Sequence, residues 1–107
     1  MTTFDERERA FENLFAHDAA IRFRAYARRN RLLGLWAAEQ LGKTGEDAER
    51  YAKTVVMADF EEVGDEDVLR KVSGDFACGG LRIRVAEVRA RMDELLAEAL
   101  EQVKLES

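Results

Sequence analysis

The sequence predicts an all-α fold, a small bundle of three or four amphipathic helices. Three observations carry this. The chain has 107 residues and no proline, so only its seven glycines punctuate it. Cutting at most of those glycines leaves segments with apolar residues at i, i+3, i+4 and i+7, the helical period. Strand-like alternation is absent apart from "LRIRV" at 81–85.

The first segment spans about Thr3 to Leu41. Thr3 with Glu6 fits a capping box at a helix start. At about 100° per residue, Phe4, Phe11 and Phe15 lie close to one face, and Tyr26, Leu33 and Trp36 continue that stripe. Asp5 and Arg9 form an i,i+4 pair in the favourable orientation, worth roughly 0.2–0.5 kcal/mol. Gly34 inside the segment costs about 1 kcal/mol against alanine, which a close helix approach at that point would justify.

The second segment runs from Thr44 to Phe60. Thr44 is placed as N-cap, with Glu46 and Asp47 in the first turn to meet the helix dipole. Ala48, Tyr51, Val55 and Ala58 make its apolar side. The third runs from Asp65, an N-cap followed by Glu66 and Asp67, to Phe76, with Val68, Leu69, Val72 and Phe76 inward. The fourth runs from Val85 to Val103, with Val88, Met92, Leu95, Leu96 and Leu100 as its stripe. No repeat, linker or low-complexity tract interrupts this single domain.

Composition excludes several classes. The chain is 47% hydrophobic and 36% charged, which fits neither a disordered nor a membrane-embedded chain. No apolar run reaches the roughly 18–20 residues of a membrane helix. The start "MTTFDERER" lacks the basic and apolar regions of a signal peptide, so a cytoplasmic location is the expectation. One cysteine, Cys78, forbids an internal disulfide and reads as an ordinary half-buried residue. The net charge of −5 is unevenly spread: +1 over residues 1–41 and −6 over 42–107. An acidic C-terminal part argues against general nucleic-acid binding.

Candidate chemistry is sparse. "GKT" at 42–44 is the end of a phosphate-loop motif, but the required upstream glycine is Ala37 and the preceding stretch reads as helix. A helix stop at Gly42 followed by a cap at Thr44 is the simpler reading. A weak anion or nucleotide site (ATP or ADP) at Lys43 and Thr44, with Arg28 and Arg31, is physically allowed there. His17 stands alone, so neither a histidine dyad nor a zinc cluster can form with it. The acids of "DFEEVGDED" (59–67) do not match a calcium loop, and no metal is expected. Arg22, Arg24, Arg28, Arg29 and Arg31 form the densest basic stretch, with Phe23 and Tyr26 interleaved. Helical geometry scatters these arginines around the axis, where acids of neighbouring helices can pair with them. No catalytic constellation is evident, so an enzyme is not expected.

The blocks "TTFDERERAFENLFAHD", "ARRNRLLGLWAAEQLGKTGEDAERYAK", "ADFEEVGDEDVLRKV" and "RMDELLAEAL" occur in this order. The series resembles the ζ subunit of alphaproteobacterial F-type ATP synthases over nearly the whole chain. The most specific parts are 28–45 and 59–68. The resemblance implies a four-helix bundle with a mobile N-terminal helical segment: 1–18 detachable and inhibitory, 19–107 the bundle. It implies a regulatory inhibitor of ATP hydrolysis whose N-terminal helix enters the catalytic head at an interface of α and β subunits near the rotor shaft, formed by γ. Thr3, Phe4, Asp5, Glu6, Arg7, Glu8, Arg9, Phe11, Glu12, Leu14 and Phe15 would form the partner-binding segment. The aromatic rings would fill apolar pockets and the charges would set register. The free protein would be a monomer, cytoplasmic, peripheral to the inner membrane through the synthase and without membrane insertion of its own. One departure from the family's pattern is "GGLRIRVAEV", with arginine where a serine-type cap of the last helix is expected. The alternative from another class is a small helical regulator that binds a nucleotide or similar ligand.

Overall fold

The computed structural model describes the backbone of residues 2–59 and 64–106, and the side chains of 19–59 and 64–106. Four helices follow in chain order: α1 (Thr2–Gln40), α2 (Gly45–Ala58), α3 (Glu66–Cys78) and α4 (Val85–Glu106). There is no strand among the described residues. Residues 81–84, the one strand-like stretch, form an irregular connection and Val85 opens α4. The α1 start lies one residue before the expected cap, within the usual play of helix-end assignment. The expected end of the second segment at Phe60 falls outside the described residues.

Helix α1 is the spine. Helix α2 runs back along it, with Glu49 against Arg31 and Ala52 against Gly34. Helix α4 also runs antiparallel to α1, its Arg91 over the Trp36 ring and its Glu106 beside Arg24 and Arg28. Helix α3 closes the bundle, and Phe76 meets Trp36 edge to face with ring centroids 5.6 Å apart. This edge-on arrangement suits the quadrupoles of two aromatic rings.

The core is built from the predicted stripes with a shift of phase. Leu33, Val55, Val68, Leu69, Val72, Phe76, Val88, Met92 and Leu95 are buried as expected. Helix α4 also buries Ala99 and Val103, leaving Leu96 and Leu100 half-buried at the edge of its stripe. Helix α2 buries Ala52, which the sequence reading passed over, and leaves Tyr51 half-buried. The reason is the crossing with α1. A Cβ placed on Gly34 would sit 2.6 Å from Ala52 Cα, so the two backbones meet where both residues are small.

The turns after α1 and α3 share one geometry. Gly42 has φ +77 and Gly80 has φ +75. At the first, Lys43 N–H donates to Ala38 O (2.8 Å) and Gly42 N–H to Glu39 O (3.1 Å). At the second, Leu81 N–H donates to Phe76 O (2.9 Å) and Gly80 N–H to Ala77 O (3.1 Å). Both are Schellman stops, which require a residue in the left-handed region. "GKT" is therefore a helix stop followed by a helix start. Arg84 serves as the N-cap of α4: its carbonyl accepts from Glu87 and Val88 N–H, and its side chain pairs with Glu87.

Candidate functional site

The first buried residue among the described side chains is Ala25; residues 19–24 are exposed or half-buried. The last residue of α4, Glu106, lies against Arg28 and Arg24. Helix α1 nevertheless begins at Thr2. It continues for about 33 Å on the N-terminal side of Arg24, at 1.5 Å per residue. The expected partner-binding residues Thr3 to Phe15 belong to this stretch, and their side chains lie outside the described residues, as does His17.

A clasp holds α1 where α4 ends. Arg28 grips Glu106 with both ends of its fork, Nη2 to Oε2 at 2.7 Å, and Arg24 adds a longer contact of 3.4 Å. Such two-point pairing is the strongest arrangement open to arginine and carboxylate. The hydrogen bond from Arg28, aided by both arginine charges and opposed only by slight burial, holds the Glu106 carboxyl below the ordinary glutamate range. On the other flank Arg31 grips Glu49 of α2 at 2.8 and 3.2 Å. That hydrogen bond likewise holds Glu49 below its ordinary value.

Arg28 and Arg31 thus face different helices, and each is already engaged. Lys43 and Thr44 are exposed in the turn before α2, more than two helical turns further along α1 from Arg31. The structure does not bring these four residues together. Thr44 holds the cap position with an extended backbone, but its hydroxyl makes no capping hydrogen bond.

The remaining arginine, Arg29, has a different fate. It is fully buried, and so is Asn30. Arg29 Nε donates to Asn30 Oδ1 at 2.7 Å, its Nη1 lies 3.5 Å from Asp65 Oδ2, and its guanidinium lies 5.3 Å from the Tyr26 ring centroid. Its Nη2 and the Asn30 Nδ2 have no hydrogen-bond partner. Each such buried donor costs about 1–3 kcal/mol. Asp65 holds the N-cap position of α3 as expected, and its carbonyl accepts from Leu69 N–H. Its side chain makes no capping bond and turns to Arg89 of α4 at 3.0 Å as well as to Arg29. Burial pushes the Asp65 carboxyl up, but the hydrogen bond and charge of Arg89 together with the charge of Arg29 outweigh it. The result lies below the ordinary aspartate value.

The sequence reading took the run "ARRNR" as a solvated face and so passed over this buried pair. The helical phase held the signal: Ala25, Arg29, Leu33 and Ala37 recur at steps of four, and all are buried. An open groove of about 470 Å³ lies beside them, with Phe23, Tyr26, Val56 and Asp59 among its walls.

A third cluster joins α2 to α3. The Tyr51 hydroxyl donates to Asp75 Oδ2 at 2.8 Å, and Lys71 reaches the same oxygen at 3.1 Å while lying over the Tyr51 ring. Burial and the Asp75 carboxylate raise the Tyr51 hydroxyl well above its ordinary value. Cys78 is exposed at the end of α3, against the half-buried expectation. Among the described residues, no group of His, Cys, Asp and Glu side chains is placed to hold a metal ion, and no helix is long and apolar enough to cross a membrane.

Comparison with known proteins places this arrangement. A protein solved by solution NMR shares 52% sequence identity and superposes with a TM-score of 0.71, over 81% of this chain and 99% of that one. No curated protein matches the chain. The family model described as ATPase inhibitor subunit zeta matches residues 1–102. That match covers all but the last turn of α4, and the chain belongs to the ATPase inhibitor subunit zeta family.

Proposed function

We propose that this protein is a regulatory inhibitor of ATP hydrolysis by F-type ATP synthase, acting through the N-terminal stretch of α1. The observation that carries the reading is the length of α1 on the N-terminal side of Arg24, which meets the end of α4, in a chain of the inhibitor family. Helix α1 continues for about 33 Å on the N-terminal side of that contact. It is long enough to enter a cleft in a larger partner while residues 19–106 stay outside.

In this reading residues 1–18 form the inhibitory segment. Phe4, Phe11 and Phe15, with Leu14, anchor in apolar pockets between an α and a β subunit, close to γ. Asp5, Glu6, Arg7, Glu8, Arg9 and Glu12 set the register against charged subunit surfaces, and Thr3 caps the inserted helix. Catalytic turnover drives that interface through closure, and a helix lodged there stops the cycle. Rotation in the direction of synthesis expels it, so the block acts one way. The protein regulates a catalyst and performs no chemistry of its own. Its association with membranes is indirect, through the synthase.

The experiment is ATP hydrolysis by the cognate catalytic head with added full-length chain, with a chain lacking residues 2–15, and with Phe4→Ala/Phe11→Ala. Inhibition by the full chain alone, weakened by the double substitution and abolished by the deletion, is expected. Equal inhibition by the deleted chain would overturn the wedge. No inhibition at any ratio would overturn the function.

A further inference from the structure

Helix α1 enters the core at Ala25, which is 1% exposed, and residues 19–24 before it are exposed or half-buried. Arg24 and Arg28 stand on either side of Ala25, one turn apart on one side of the helix. Both reach the same carboxylate, Glu106 in the last turn of α4. Arg28 meets it at two points, Nη1 to Oε1 and Nη2 to Oε2, and its Nη1 also lies 3.5 Å from Gln102 Oε1, one turn earlier in α4. Pairing at two points fixes orientation as well as distance. Glu106 stands outside residues 1–102, the stretch that the family model matches, so the clasp rests on this chain's own last turn.

The clasp is open to solvent: the side chains of Arg24, Arg28 and Glu106 are 50%, 29% and 46% exposed. Exposed ion pairs add little to global stability. The buried Ala25 and Leu33 of α1 and Met92, Ala99 and Val103 of α4 hold the bundle together without them. The effect of the clasp is therefore local. A helix opens most readily where it has few buried contacts, and a tether at that point limits how far the helix swings and in which direction. A segment that meets its partner already ordered binds at lower cost than one that orders on binding. We propose that Glu106 is a positioning residue for the inhibitory helix: through Arg28 and Arg24 it fixes α1 at the edge of the bundle, so that the N-terminal stretch approaches the catalytic head on the axis the bundle sets. This inference rests on the inhibitory role proposed for that stretch.

The experiment compares the full chain with Glu106→Gln, with Arg28→Gln and with the two together. Inhibition of ATP hydrolysis by the cognate catalytic head and hydrogen exchange of the free protein at amides 20–27 are read side by side. Each single change is expected to raise the concentration for half-inhibition about two- to fivefold and to speed exchange at those amides by a similar factor, at an unchanged urea midpoint. The double variant is expected to be no worse than the worse single one, because both changes remove the same contact. The gap between the unaltered chain and the variants should close at about 500 mM salt, which screens exposed charges. Equal inhibition by the unaltered chain and Glu106→Gln, or unchanged exchange, overturns the positioning role and leaves the inhibitory reading standing. So do additive losses in the double variant, which would mean that the two residues meet the head separately, and a fall in urea midpoint large enough to account for the lost inhibition. An unaltered chain that never inhibits overturns both.

Discussion

Alanine in place of Gly34 should destabilise the protein, and alanine in place of Gly74 should stabilise it. Both glycines sit inside helices, Gly34 in α1 and Gly74 in α3. Helix propensity alone favours alanine at both by about 0.8–1 kcal/mol. The surroundings differ. A Cβ on Gly74 meets nothing within 4 Å. A Cβ on Gly34 would stand 2.6 Å from Ala52 Cα and 3.2 Å from Ala52 O, where ordinary contact begins at 3.4 Å. The obstacle is backbone, which no rotamer change relieves. Helices α1 and α2 would have to part by about 0.8 Å along their crossing, and packing contacts fall off steeply over such a gap. Overpacking a tight site costs about 1–3 kcal/mol, and a backbone obstacle belongs in the upper part of that range. After the propensity gain, Gly34→Ala should lose about 1–2 kcal/mol, and Gly74→Ala should gain about 0.5–1 kcal/mol. Urea unfolding followed by helical circular dichroism reads both as opposite shifts of midpoint at unchanged slope. Stabilisation by Gly34→Ala would refute the close crossing as the reason for glycine at that position.

Acid should unfold the protein partly through Asp65. Its carboxyl is held below the ordinary aspartate value in the folded state. The stability it contributes is therefore present above the unfolded value of about 3.9 and is lost as pH falls through the folded one. Asp65→Asn should flatten the loss of melting temperature below about pH 4, and an unchanged acid limb would count against the Arg89–Asp65–Arg29 cluster. Tyr51 has the opposite sign. Its raised hydroxyl stabilises the fold below the ordinary tyrosine value of about 10 and ceases to do so as pH rises through the folded one. Absorbance titration should show Tyr51 ionising above the ordinary tyrosine range. Tyr51→Phe should cost about 0.5–1.5 kcal/mol through loss of its bond to Asp75; no measurable loss would show that the bond contributes nothing net.

The helices were legible because their signals are local. The stripe Val68, Leu69, Val72 and Phe76 of α3 is buried as its spacing implied. The stops at Gly42 and Gly80 follow from the need for a residue at positive φ. Acids in the first turns of α2 and α3 and glycines between helices likewise depend on near neighbours alone. The family resemblance was legible for the same reason, since it rests on contiguous blocks, and the family match over residues 1–102 agrees with it.

What only the tertiary structure decided involves residues far apart in the chain. Asp65 reads as a cap from its place before α3, yet Arg29 and Arg89 claim its carboxylate across three helices. The five arginines between Ala19 and Ala38 look alike in sequence. The fold sends Arg24 and Arg28 to Glu106, Arg31 to Glu49 and Arg29 inward, and leaves Arg22 exposed. Gly34 signals that something comes close, but only the crossing shows that it is Ala52. Periodicity and capping are properties of one turn of chain and can be read from it. Partner choice and the space around a side chain are set by which helices the hydrophobic core draws together, and no local pattern contains that information.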